Sequence, residues 1–342
     1  MNHSRAIIYT IIFIASVLAV RLYGKNNNGE PIKIEGATMG TSYHITYFDS
    51  KRRNFKREID SLLLVVNKSI NTYDSSSEVS RFNRSKKGIA FKLPHLYLPI
   101  KKAEEVFNIS QGAFDITVMP LINVWGFGPE KQLRPDKAMI DSIKTFVGFT
   151  KLKLANDSIT KQDERVQLDF GGIGQGYGAD VITQFLKSKG ITNMLIELGG
   201  EGMAVGKNLK SNKPWQIGIL NPNSTLENQF FKAYVALENK SFTTSGNYFN
   251  YREVDGKKYT HTIDPSTGFP AQRAILSASI FSADCTTADA WATAMMVMGH
   301  EKAIELLKKH PEMDALLIYT SPQGKMETYI TPGVKSLIQL EP

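Results

Sequence analysis

YTHTIDPSTGFPAQRAILSASIFSADCTTADAWATAMMVMG, residues 259–299, carries strand and helix signals in a single run. A short strand bears His261. Asp264-Pro265-Ser266-Thr267-Gly268 then turns the chain, using side chains that bond back to the backbone and a glycine free of steric penalty. A second strand runs from Ala274 to Phe281, and a helix follows, opening near Thr286-Thr287 and stopping at Gly299. On that helix Asp289 and Thr293 stand four residues apart, so their oxygens share one face. A carboxylate and a hydroxyl are hard-oxygen ligands of the kind Mg²⁺ prefers. A first-turn acid favoured by the helix dipole, beside a packing threonine, accounts for the same two residues.

Upstream lies a second informative run, Gly171-Gly172-Ile173-Gly174-Gln175-Gly176-Tyr177-Gly178, leading into a helix to Ser188 and then a strand from Asn193 to Leu198. Glycine loop, helix, strand is a layout that sets a phosphate at a helix N-terminus. The dinucleotide fingerprint fails, because Tyr177 occupies the place of its last glycine, and no Gly-Lys-Ser/Thr completes a P-loop. The loop is compatible with a ligand, and equally with tight turns alone.

Further outward, Ile32 to Tyr47 alternates as a strand containing the small-residue segment Gly36–Thr41. Phe55 to Ile70 is an amphipathic helix with Ile59, Leu62, Leu63, Val66 and Ile70 on its apolar stripe. Ser75-Ser76-Ser77-Glu78 has the form of a capping box for a short helix through Phe82. Tyr73 and Asp74, just before it, suit a ring and a ribose, or ordinary loop chemistry. Pro94–Ser110 and Pro135–Val147 read as helices. Ala113–Val118 reads as a strand in which Asp115 needs a partner, either a ligand or a structural donor. Leu152–Thr160 and Arg165–Phe170 read as a hairpin turning at Asn156-Asp157. Trp215–Leu220 and Phe230–Leu237 are strands, Lys240–Tyr248 is a polar loop, and Asp255-Gly256 signals a hairpin. A helix, Glu301–His310, and a hairpin, Asp314–Thr320 with Met326–Ile330, close the chain.

The totals narrow the function classes. The 342 residues carry a formal net charge of +8, without a long basic tract or a nucleic-acid motif. Such an excess suits an anionic small ligand or an anionic membrane surface. The single cysteine, Cys285, excludes a disulfide framework and a cysteine zinc site. At the N-terminus an apolar run, Ala6–Val20, follows His3 and Arg5 and precedes a polar linker, Lys25–Gly29. It has the length of a signal-peptide core. Residues 1–30 are therefore expected to be a signal peptide or N-terminal membrane anchor, and residues 31–342 the working domain. The chain is expected outside the cytoplasm, anchored or released on the periplasmic side of the inner membrane.

Eight segments together resemble one family in order: GATMGTSYHITY at 36–47, YDSSSEVSRFN at 73–83, GAFDITVMPL at 112–121, LDFGGIGQGYGAD at 168–180, LGGEGMAVGKN at 198–208, TTSGNYFNY at 243–251, YTHTIDPSTGFP at 259–270 and DCTTADAWATAMMVMG at 284–299. The chain is similar to the ApbE family of FAD:protein FMN transferases over nearly everything from Lys33 to Ile330. The resemblance implies an α+β fold, with mixed or antiparallel sheets flanked by helices in a T-fold-like architecture. It implies an enzyme that, with Mg²⁺, moves the FMN half of FAD onto a Thr or Ser hydroxyl of an exported acceptor protein and releases AMP. The metal falls to Asp289, Thr293 and a carbonyl at Gly174. FAD falls to Met39, Tyr73, Asp74, Asp115, Gln175, Gly176, Ser245 and Gly246, and the catalytic base to His261.

Two features depart from the family pattern. Relatives commonly carry Ala-Lys-Gly where this chain has Gly174-Gln175-Gly176, which keeps the carbonyl and loses the charge. No cysteine follows the leader for a lipid anchor, so tethering is expected to rest on the Ala6–Val20 run. Two other functions stay open: Mg²⁺-dependent hydrolysis of FAD to FMN and AMP, and exported flavin binding without chemistry, though His261 and the Asp289/Thr293 pair argue against the last, since pure binding needs neither.

Overall fold

A computed structural model describes residues 29–129, 135–225, 227–246, 251–254 and 257–341. The expected leader, apart from its last two residues, lies outside these ranges, as does the Asp255-Gly256 turn. Among the described residues no helix is long and apolar enough to cross a membrane.

The first expected strand is a hairpin. β1 (Ile32–Thr38) and β2 (Thr41–Tyr47) pair antiparallel around Met39-Gly40. Both turn residues have positive φ, 51° and 74°, which matches the twist of a tight hairpin. The alternation survives, with Tyr43, Ile45 and Tyr47 buried on one face. Alternation alone does not reveal a two-residue turn within it.

α1 (Lys56–Ile70) buries Ile59, Leu63, Val66 and Ile70 along one stripe, each contributing about 1.5–3 kcal/mol if fully removed from water. α2 (Glu78–Arg84) is capped by Ser77, whose hydroxyl accepts from Ser80 N–H, so the capping box expected at Ser75 does not form. Glu78 instead turns to the chain ahead, accepting from the N–H groups of Lys92 and Leu93. β3 (Gly88–Ala90) and α3 (Tyr97–Ile109) follow.

Ala113–Val118 is not a strand. It is a set of turns held by Asp115, ending in one bridge from Val118 to Gln167. α4 (Met119–Val124) and α5 (Lys137–Lys144, capped by Asp136) come next. The turn at Asn156-Asp157 stands where expected, but it joins β4 (Leu152–Leu154) to β5 (Ser158–Lys161). β3 takes the other edge of β5, and Arg165–Phe170 stays outside that sheet.

After the glycine run come α6 (Gly174–Ser188), β6 (Met194–Leu198), β7 (Glu201–Val205), β8 (Trp215–Leu220) and β9 (Phe231–Leu237). The expected polar loop is β10 (Lys240–Gly246), set between β7 and a later strand. The hydroxyls of Ser241 and Thr244 find partners inside the protein. Ser241 donates to the Ser282 carbonyl, and Thr244 meets Ser279 at 2.8 Å. β11 (Tyr251–Val254) and β12 (Lys257–Thr260) form a separate hairpin.

β13 (Ile275–Phe281), α7 (Cys285–Met298), α8 (His300–Lys309), β14 (Asp314–Thr320), β15 (Met326–Ile330), α9 (Pro332–Lys335) and β16 (Ile338–Leu340) complete the chain. The main sheet has eight strands in the order β1-β2-β6-β7-β10-β13-β14-β15, and its paired strands run antiparallel. α6 and α7 pack against each other and against this sheet. α7 is buried on nearly every side. Its alanines at 288, 290, 292 and 294 are fully buried and permit that close approach. The architecture is α+β, as the resemblance implies.

Candidate active site

Asp289 is the fifth residue of α7, so the reading as a first-turn acid does not hold. The cap is Asp284, which accepts from Thr287 N–H. Asp289 is 5% exposed, and its Oδ2 accepts from the backbone N–H of Gly176 at 2.9 Å. Burial pushes its carboxyl well above the usual carboxylate range. One turn on, the Thr293 hydroxyl stands 3.5 Å from that of Ser245 on β10. Gly172 presses on the same hydroxyl, since a Cβ there would lie 2.7 Å from Thr293 Oγ1.

These residues line a cavity of about 840 Å³, together with Tyr73, Asp115, Asp169, Gln175, Glu201, Gly246 and His261. His261 is exposed, on the segment between β12 and the Asp264–Gly268 turn. A second cavity of about 500 Å³ shares Gly40, Tyr73, Asp169, Gly171 and Gln175 with the first, and adds Met39, Ile70, Phe170 and Gly174. The pair forms a two-chambered cleft, one chamber largely apolar and the other rich in carboxylates.

The expected site residues divide by position. Met39 lines the smaller chamber and Ser245 and Gly246 the larger, while Tyr73 and Gln175 line both. The Tyr73 hydroxyl donates to the Phe127 carbonyl at 2.9 Å. Asp115 reaches the larger chamber with both oxygens committed. Oδ1 accepts from Thr117 N–H and hydroxyl, and Oδ2 from Phe149 N–H. Burial raises its carboxyl to about 6, against those bonds.

Asp74 lines neither chamber. Lys68 and Ser76 take its oxygens and hold its carboxyl down at about 2. Gly176 also stands outside the lining and acts through its bond to Asp289. Gly174 opens onto the smaller chamber, whereas Gly172 is the loop glycine beside Thr293.

Two further acids, Asp169 and Glu201, join the lining. Asp169 lines both chambers and accepts from Gly171 N–H, and burial raises its carboxyl. Its signal was an acid within Leu168-Asp169-Phe170, directly before the glycines. Glu201 follows Gly199-Gly200 and opens the otherwise apolar β7, and that abrupt change was its signal.

A model of the ApbE family matches residues 39–317. This chain belongs to the ApbE family. A protein of Vibrio cholerae named FAD:protein FMN transferase is 33% identical over 326 residues, covering 93% of this chain and 95% of that protein. One of Haemophilus influenzae with the same name is 33% identical, covering 90% and 92%. The solved flavin transferase ApbE from V. cholerae superposes with a TM-score of 0.81 at 32% identity, over 90% of this chain and 99% of that one. The apo flavinyl transferase ApbE of Pseudomonas stutzeri gives 0.79 at 31%, over 90% and 96%.

Proposed function

We propose that the chain is a flavin transferase that moves the FMN part of FAD onto a Thr or Ser hydroxyl of an exported protein, using Mg²⁺ and releasing AMP. Flavin transfer itself follows from the family, whose named relatives are FAD:protein FMN transferases. The finer reading rests on one observation: the large chamber is lined both by Asp289 with Thr293 and by His261.

The donor set suits a hard cation. Four carboxylates line that chamber, from Asp115, Asp169, Glu201 and Asp289, and no Lys or Arg does so among the described residues. A pyrophosphate entering such a lining needs cationic company. Among the described residues no group of three or more His, Cys, Asp or Glu side chains is placed to hold a metal ion; Mg²⁺ usually keeps several waters and takes substrate oxygens into its shell. Asp289 and Thr293 would hold Mg²⁺ with a carbonyl of the glycine loop. When bound, the ion supplies charge neutralisation at the pyrophosphate.

Exposed at the chamber lining, His261 can meet a protein hydroxyl arriving from solvent. It takes the hydroxyl proton as that oxygen attacks the FMN-side phosphorus. The new P–O bond forms as the bond to the AMP-side bridging oxygen breaks, and AMP leaves with the electron pair. The acceptor lies outside the cytoplasm on this reading, because Ala6–Val20 has the form of an export signal.

The test incubates the full chain with FAD, Mg²⁺ and an exported flavin-carrying domain, then weighs that domain. A gain of one FMN unit with one AMP released is expected. Free FMN beside an unmodified domain assigns water as the acceptor, and unchanged FAD sinks both readings.

A further inference from the structure

Glu201 is 8% exposed, lines the large chamber, and has an Oε2 that is buried without a hydrogen-bond partner. The charges acting on it most are two acids, Asp289 and then Glu197. Among the described residues it has no cationic partner, and no Lys or Arg lines the chamber.

A buried carboxyl can be structural in two ways. Ionised, it must be paired, because an isolated buried charge is strongly disfavoured. Neutral, it must donate its proton to an acceptor, or the buried O–H is left unmade at a cost of about 1–3 kcal/mol. Its own backbone N–H acts on the Glu201 carboxyl, but Oε2 makes no hydrogen bond. By contrast, the buried acids Asp115 and Asp180 have their oxygens taken by N–H and hydroxyl groups. A group from the chamber would complete Glu201, and a cation there would also offset Asp289, which lines the same space and accepts only at Oδ2, from Gly176.

We propose that Glu201 supplies a second carboxylate to the divalent cation held by Asp289 and Thr293, an inference that rests on the metal-dependent function above. With Asp289 alone the protein offers one negative charge and neutral oxygens. With Glu201 it offers two, which neutralise a divalent ion before any nucleotide arrives. The ion then binds the free enzyme, instead of entering only as a nucleotide complex. Gln175, which also lines this chamber, brings no charge of its own.

The test uses Mn²⁺ alone as probe, without nucleotide, on the full chain and its Glu201→Gln and Asp289→Asn variants. Free Mn²⁺ is read by its electron paramagnetic resonance signal. Wild type is expected to bind, Asp289→Asn to lose binding, and Glu201→Gln to bind at least tenfold more weakly. Thermal unfolding gives a readout that a purely structural role would not produce. Without metal, Glu201→Gln is expected to melt at or above wild type, since it removes an unpaired buried acid; with Mn²⁺ the order reverses. Equal Mn²⁺ affinity in Glu201→Gln and wild type, with Asp289→Asn deficient, overturns the role of Glu201 and leaves the proposed function standing. No Mn²⁺ binding by wild type overturns this inference together with the metal part of that function.

Discussion

The backbone N–H of Gly176 donates to Asp289 Oδ2 across 2.9 Å, joining residues 113 positions apart in the chain. Through this bond the start of α6 fixes the carboxylate carried by α7. The glycine is required by space. A Cβ at 176 would stand 2.7 Å from Asp289 Cβ and press on the Cys285 carbonyl.

Gly176→Ala is therefore expected to destabilise the protein by about 1–3 kcal/mol through overpacking, despite alanine's better helix propensity. Urea unfolding measures this directly. Wild-type stability in the variant would show that α6 and α7 separate freely, which would remove the geometric basis of the site.

His261 and Asp289 should fail in different ways. Asp289→Ala is expected to abolish AMP release, because it removes a carboxylate proposed to hold the metal. His261→Ala should lower the rate of acceptor modification by roughly 10²–10⁴-fold, the usual worth of a general base, while FAD binding is retained. Equilibrium binding of FAD and single-turnover transfer separate the two. A His261→Ala enzyme that modifies the acceptor at the wild-type rate would refute its role as base.

Asp115 offers a pH test. Its folded carboxyl titrates near 6, raised from 3.8 by burial. The folded protein thus binds an extra proton between these values, and stability falls as pH rises through that window. Asp115→Asn cannot take part. The stability of the variant relative to wild type is expected to rise by about 2 kcal/mol between pH 4 and pH 6, since each unit of pKa shift is worth roughly 1.36 kcal/mol and the window spans most of the titration. A difference that stays flat across this range would mean that Asp115 is not buried as described.

What could be read in the chain was what is coded locally. The turn at Asp264–Gly268 rests on the Asp264 carboxylate accepting from Ser266 N–H and on Gly268 at φ 78°, both set within five residues. α1, α6 and α7 were legible for the same reason, since an apolar stripe or a glycine run leading into a helix needs no distant partner. The eight motifs in order carried the family, because order along the chain is itself a property of sequence.

Tertiary structure decided the identity of β10 and the fate of the acids. Lys240–Gly246 has the composition of a loop and becomes a central strand only because β7 and β13 flank it and Ser279 and the Ser282 carbonyl meet its hydroxyls. Asp74, Asp115 and Glu201 are all carboxylates in short motifs. One is spent on Lys68 and Ser76, one on Thr117 and Phe149, and one has an oxygen left without a partner. A residue's type states what it can bond to, whereas the bond it makes depends on which groups the fold brings within about 3 Å and away from water. The chain determined which oxygens were available, and only its folding decided which of them remained for a ligand.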